Sequence, residues 1–302
     1  MKFERVNPIS LFLFSLLVAA YPAAAQKGEA SKPARLPLWK VEGITNKVYL
    51  LGSIHLLSET NYPLPAPMET AFSNAQVVAF EADVGEMMKL ETQMRLMAKC
   101  RLAEGKSLKE LLSAETYGKV MAYASNSVMP QMMFTQFKPA FIALTIVSAE
   151  AMKMGMNPLY GIDLHFYNQA KDTGKQVVGL ETFDFQAEMI AGMSKEEGEW
   201  MLKSTFKQLE TEREKFGDLV AAWQTGNSKG LDDLMNESVG ESPTLTKRLL
   251  TDRNESWVPK IQEMMSGGKN AIVIVGAAHL VGEKGVVELL KKKGVKITQM
   301  TL

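Results

Sequence analysis

Cysteine and histidine are scarce in this chain of 302 residues, with one of the first and three of the second. The sole cysteine, Cys100, cannot close an internal disulfide, so the fold does not rest on such a bridge. It lies in a helical stretch and reads as a buried or idle thiol. No HExxH helix is present, which excludes a zincin. No GxSxG elbow is present, which excludes an ordinary serine hydrolase. A P-loop and a dinucleotide-type glycine fingerprint are missing as well. Excess charge is also lacking: 34 Lys and Arg face 34 Asp and Glu. This balance argues against nucleic acid or an anionic membrane surface as the main partner. No repeat of 20–50 residues is found.

What is present begins with an export pattern. Lys2 and Arg5 precede an apolar run from Ile9 to Ala20, and Ala23-x-Ala25 supplies a small-residue cleavage site. That is the layout of a secretory signal peptide over residues 1–25, cleaved after Ala25. A run of about a dozen residues is too short for a membrane span, which needs roughly 20. No second run reaches that length, so no stable span is expected in the mature form. Removing Lys2, Arg5 and Glu4 leaves 32 basic and 33 acidic residues, a net charge of −1. The expected location is outside the cytoplasm, in the periplasm of a Gram-negative source. Residues 26–36 read as a flexible lead-in, and 37–302 as the folded domain.

Apolar segments at 36–42 and 47–51, separated by Gly43-Ile44-Thr45-Asn46, predict a β-hairpin. Further strands are expected at 77–80, 176–180, 270–275 and 295–302. Helices are expected near 68–74, 85–99, 107–113, 115–125, 138–155, 161–174 and 282–293. Strands alternating with helices predict an α/β fold with a central mixed or largely parallel sheet flanked by helices. Large helical insertions at about 85–160 and 184–265 are too long for simple crossovers and are expected to form a cap. The methionine clusters at 129–133 and 152–156 read as adaptable packing.

Two of the three histidines share one context: His55 follows VYLLGSI and His279 follows AIVIVGAA. Glu81 closes a third apolar strand. In open α/β sheets, ligands bind beyond the carboxyl ends of the strands. Three strand ends therefore present two imidazoles and a carboxylate, enough for a metal site with open positions or for acid–base chemistry. Gly52 and Gly276 would let the chain turn sharply there. Asp163 and Glu181 stand at element boundaries, where they serve either as helix caps or as contacts to ligand or substrate. Arg253 reads equally as a surface ion pair or as an anchor for a carboxylate or oxyanion. His165 is expected to be exposed.

The segments LWKVEG, VYLLGSIHLL, FEAD, FKPAF, YGIDLHFYNQAK, VVGLETFDFQ, RN…W and VIVGAAHLVGEKGVVELL resemble, in order, the TraB/GumN/PrgY family. The resemblance extends to the Tiki metalloproteases and to erythromycin-esterase/ChaN-like proteins. It implies metal-dependent cleavage of peptide bonds through paired GxxH histidines and a glutamate, which here are His55, His279 and Glu81. The partner so implied is a peptide or protein substrate, and the cofactor a divalent ion such as Mn, Co or Zn. Asp163 or Glu181 would add a ligand or a base, and Arg253 would steady an oxyanion. Two other readings accompany it. One is a non-catalytic protein that sequesters a peptide or a haem-like ligand, and the other is a metal-free, esterase-like hydrolase.

Overall fold

In a computed structural model, residues 35–42, 45–209, 212–239 and 242–302 are described. The expected export segment and the lead-in up to residue 34 lie outside them. Six strands form one sheet: β1 (Arg35–Glu42), β2 (Val48–Ser53), β3 (Val77–Phe80), β4 (Gln176–Gly179), β5 (Ala271–Gly276) and β6 (Lys296–Thr301). Their order is β4-β3-β5-β2-β1-β6. The run β4-β3-β5-β2 is parallel, while β1 lies antiparallel to both β2 and β6. The sheet is thus mixed, flanked by helices, and of the expected α/β class. β5 is central because Ala271-Ile272-Val273-Ile274-Val275 is buried at every residue. Such a run is at home only where both sheet faces are covered. β6 has no fully buried residue, only exposed and half-buried ones, as suits an edge.

The chain forms two compact units. One comprises 85–154 together with the described residues that follow Glu181, up to 209. Its helix Pro139–Lys153 is apolar on nearly every face and packs on helix Lys195–Leu209. Gly198 permits that packing, since a Cβ there would lie 2.8 Å from Cβ of Pro139. The other unit holds the sheet, residues 155–181, and everything described from Glu212 onward. The stretch 184–265 is therefore divided between the two units. Its second part is tied to the sheet by Trp223, whose buried Nε1 donates to the carbonyl of Gly52 at 2.7 Å.

Two helical expectations are corrected. The helix expected over 85–99 is two helices, Val84–Met88 and Leu90–Cys100. Lys89 between them is extended (φ −68°, ψ 133°). The Gln93 amide donates to the carbonyls of Met87 and Met88, taking over acceptors that the break leaves without helical partners. The last helix is Val286–Lys292 rather than 282–293. Gly282 has a φ of +76°, which starts a turn instead. Among the described residues, no helix is long and apolar enough to cross a membrane.

Candidate functional site

The parallel strands β3, β5 and β2 are neighbours, so their carboxyl ends open side by side. Glu81 directly follows β3. His55 stands two residues beyond β2, and His279 closes a 3₁₀ turn, Ala277–His279, just after β5. All three reach one point. A Cβ placed on Gly276 would lie 3.2 Å from Glu81 Oε1, 3.6 Å from His55 Nε2 and 3.6 Å from His279 Cδ2. The two glycines thus serve close approach rather than a special turn, because neither has a positive φ. A Cβ on Gly52 would come within 3.0 Å of the Ala277 backbone.

His55 is oriented by Asp163, with Nδ1 2.6 Å from Oδ2. The other carboxylate oxygen accepts the Ser53 hydroxyl at 3.0 Å. Asp163 does not cap its own helix, Ile162–Asp172, whose N-cap is Gly161. The backbone brings Asp163 to His55. Ile162 N donates to Ile54 O at 3.1 Å, and a Cβ on Gly161 would stand 2.3 Å from the His55 carbonyl oxygen. Burial opposes a charged imidazole at 55, but the Asp163 carboxylate outweighs it and raises the pKa above the ordinary value.

His279 has a different partner. Its Nδ1 lies 2.6 Å from Asn254 Oδ1, while Asn254 Nδ2 donates to the carbonyl of Lys284 at 2.9 Å. The second bond fixes the amide, so an oxygen faces Nδ1 and the proton sits there. The lone pair is left on Nε2. Burial, with Arg253 and His55 adding to it, holds this imidazole down to a pKa of about 3 despite the nearby Glu81. His279 is accordingly neutral across the physiological range.

Arg253, only 2% exposed, links the remaining groups. Its Nη2 donates to Glu81 Oε2 and Glu181 Oε1, both at 2.5 Å, and its Nε donates to both Glu181 oxygens at 3.1 and 3.2 Å. Its Nη1 donates to Leu249 O and to His279 Nε2, each at 3.1 Å. Glu81 Oε1 accepts from Gly276 N at 2.8 Å and stands 3.7 Å from His279 Nε2. Glu181 also takes Trp257 Nε1 at 3.0 Å. It does not cap the following helix, Phe183–Ala191, because Thr182 does. Burial disfavours the Glu81 charge, yet the Arg253 guanidinium, with His55 and the Gly276 N–H, holds its pKa well below the carboxylate range.

All six expected residues thus gather in one buried network. With both imidazoles neutral, the formal charges of Asp163, Glu81, Glu181 and Arg253 sum to −2. Among the described residues, no three His, Cys, Asp or Glu side chains are grouped so as to enclose a metal ion. Arg253 bridges Glu81 and His279 instead. Two members were missed from sequence, Asn254 and Trp257. Together with Arg253 they occupy positions i, i+1 and i+4 of helix Asp252–Ser266, and the RN…W spacing was the available clue. His165 is corrected: it is half-buried, bonded to Glu69 at 2.8 Å and to Gln169 at 2.7 Å, apart from this network.

The family model described as TraB/PrgY/gumN matches residues 37–299. The uncharacterized protein YbaP of Escherichia coli (strain K12) is 27% identical over 245 residues, 80% of this chain and 87% of that one. A protein named metalloprotease TIKI homolog, from Amphimedon queenslandica, is 21% identical over 357 aligned residues, 100% of this chain and 69% of that one. No solved structure matches.

Proposed function

The chain belongs to the TraB/PrgY/gumN family, and on that premise we propose that it is an exported, metal-dependent hydrolase acting on peptide bonds. One observation carries the reading. Each site imidazole has its Nδ1 held by an outer oxygen, Asp163 for His55 and Asn254 for His279. Both therefore offer Nε2 as the donor atom, beside Glu81 Oε1. Outer acceptors of this kind are the usual companions of metal-ligating histidines. The donor set of two nitrogens and one carboxylate suits a divalent ion with open positions. The formal charge of −2 matches such an ion. His55, Glu81 and His279 would hold it. When bound, it would supply an activated water and a Lewis acid for the carbonyl. Asp163 and Asn254 keep the two imidazoles aimed, and Arg253 keeps Glu81 ionised. The name of the Amphimedon queenslandica relative supports the peptide substrate, and the first 25 residues support export.

A second reading is favoured by the bond from Arg253 to His279 Nε2, which already places a cation at these donors. In a metal-free hydrolase, His55 Nε2 would take a proton from water while Asp163 holds the resulting imidazolium. The test is metal analysis and peptide hydrolysis by the purified mature protein. About one divalent ion per chain is expected, lost in His55→Ala and His279→Ala and kept in His165→Ala. Cleavage should stop on chelation and return with Mn²⁺, Co²⁺ or Zn²⁺. Cleavage that survives chelation selects the second reading. If wild type binds no ion, and His279→Ala matches His165→Ala throughout, the metal reading is refuted.

A further inference from the structure

We infer that the outer edge of β4 docks the substrate: an extended peptide adds there as a further strand, antiparallel to β4, with its carboxyl end at the start of β4. This rests on the peptide reading above and not on the metal. β4 is an edge of the sheet, and among the described residues no strand lies beyond it. Its bonds to β3 fix which groups point outward. Gln176 N donates to Gln76 O at 3.0 Å, and Leu180 N donates to Phe80 O at 2.8 Å. Backbone groups alternate in direction along a strand, so the even positions face β3. Val177 and Gly179 therefore turn their N–H and C=O groups away from it. Gln176 and Gly179, at the two ends of the strand, are exposed.

Open edges invite pairing and are ordinarily guarded by lysine, proline or a bulge. The opposite edge, β6, carries Lys296. β4 is Gln-Val-Val-Gly in even register with β3 and has none of these guards. Its last residue is bare backbone beside the site, since a Cβ on Gly179 would lie 2.8 Å from Glu181 O and 3.1 Å from Asp83 N. Charge sets the direction of the added strand. At the start of β4, Lys269 Nζ donates to Gln176 Oε1 at 3.0 Å, and Lys175 Nζ donates to Ser73 O at 3.1 Å and Ala75 O at 2.5 Å. These acceptors are neutral, so the bonds do not cancel the two positive charges. At the far end, the carboxylates of Glu81, Glu181 and Asp83 outnumber Arg253 and Lys260, whose Nζ is bonded to Leu180 O. An antiparallel peptide brings its terminal carboxylate to the lysines and its amino end toward the carboxylates, whereas a parallel one reverses both. Strand addition takes its affinity from main-chain bonds. The meeting point of His55, Glu81 and His279 at Gly276 ends β5, two strands inward from β4. The docked chain is thus about 14 Å from it, a span that four or five further residues at its amino end cover, at roughly 3.3 Å each. Cleavage would then release amino-terminal fragments from peptides held by their carboxyl ends.

The test measures calorimetric binding of a decapeptide of alternating threonine and valine, with free termini, to His55→Ala, in which cleavage does not consume the probe. Methylating one peptide nitrogen at a time along its last five residues should weaken binding about tenfold at alternate positions and little at those between. Equal effects at neighbouring positions refute strand addition. Amidating the terminal carboxylate should weaken binding about threefold, and not at all once Lys269→Ala is added; a loss that persists in that variant refutes the direction. Val177→Pro removes an outward donor where an edge strand tolerates proline, and should abolish binding while the melting curve stays cooperative. If it does not fold, the methyl scan decides. The predicted pattern of binding without cleavage by wild type keeps the docking edge and overturns the hydrolase reading. Cleavage indifferent to both Val177→Pro and the methyl scan does the reverse, and a probe neither bound nor cut overturns both. A wild type that is dimeric in light scattering, and monomeric as Val177→Pro, gives the edge to a second copy and overturns the proposal.

Discussion

Replacing His279 by Gln should flatten the acid side of the stability curve of the ion-free protein. The unfolded imidazole takes up its proton near pH 6.5, whereas burial and Arg253 hold the folded one down to about 3. A depressed folded pKa means that the site's contribution is intact above pH 6.5 and is lost as pH falls toward 3. Within that window the unfolded state binds one proton more than the folded state. Stability then drops by about 1.4 kcal/mol per pH unit. Integrated from pH 6 to pH 4, the loss is about 2.5 kcal/mol. His55 does not offset it. Its raised pKa contributes stability below pH 6.5 that is lost as pH rises through the folded value, on the other side of the window. Glu81, with its depressed pKa, adds to the acid loss as pH falls through and below the unfolded value of 4.5, in wild type and variant alike. The assay is urea unfolding of chelated wild type and His279→Gln at pH 6, 5 and 4. Wild type should lose about 2.5 kcal/mol more than the variant over that range. Parallel losses would show that His279 is protonated in the folded protein, and the neutral-donor argument would fail.

Two further substitutions separate the parts of the site. Gly276→Ala should place a methyl 3.2 Å from Glu81 Oε1 and 3.6 Å from His55 Nε2, abolishing Zn²⁺ binding in calorimetry while lowering stability by only about 1–3 kcal/mol; unchanged binding would mean that the three donors do not share an ion. Asp163→Asn should lower the His55 pKa in an NMR titration of the ion-free protein and weaken ion binding about 10- to 100-fold; a titration curve that stays in place would show that Asp163 does not set the charge of His55.

The sheet and its three strand-end residues were legible because parallel, fully buried strands are continuous apolar runs. VYLLGS and AIVIVG admit few other readings. In each, a histidine stands three residues after the strand's glycine, and Glu81 follows β3, so the rule for strand ends places all three together. Residues that act across the fold were harder to read. Arg253 looked as much like a surface partner as a buried one, since DRNESW is polar and only the fold shows which side turns inward. Asn254 carried no expectation at all, because an asparagine within a helix is ordinarily solvated. His165, in a polar stretch, was expected in solvent, yet Glu69 arrives from a helix almost a hundred positions earlier. Helix breaks at Lys89 and before Val286 depend on local amide bonds and a single positive φ, which apolar periodicity does not encode.

The two GxxH histidines look equivalent in the sequence, and the difference between them lies in their outer partners. A carboxylate on Nδ1 favours the charged ring, and Asp163 gives His55 that choice. An amide oxygen accepts the same hydrogen bond without adding charge, so Asn254 fixes the tautomer of His279 but gives no support to a second proton. Arg253, donating to Nε2, opposes that proton further. One imidazole is thereby biased toward its charged form, and the other stays a neutral lone-pair donor. Either mechanism needs this asymmetry. A metal site needs at least one donor that protons do not displace, and a metal-free acid–base site needs one imidazole that can change charge while its neighbour stays neutral. The polar residues around the strand ends, rather than the strand ends themselves, therefore decide what the shared GxxH pattern does here.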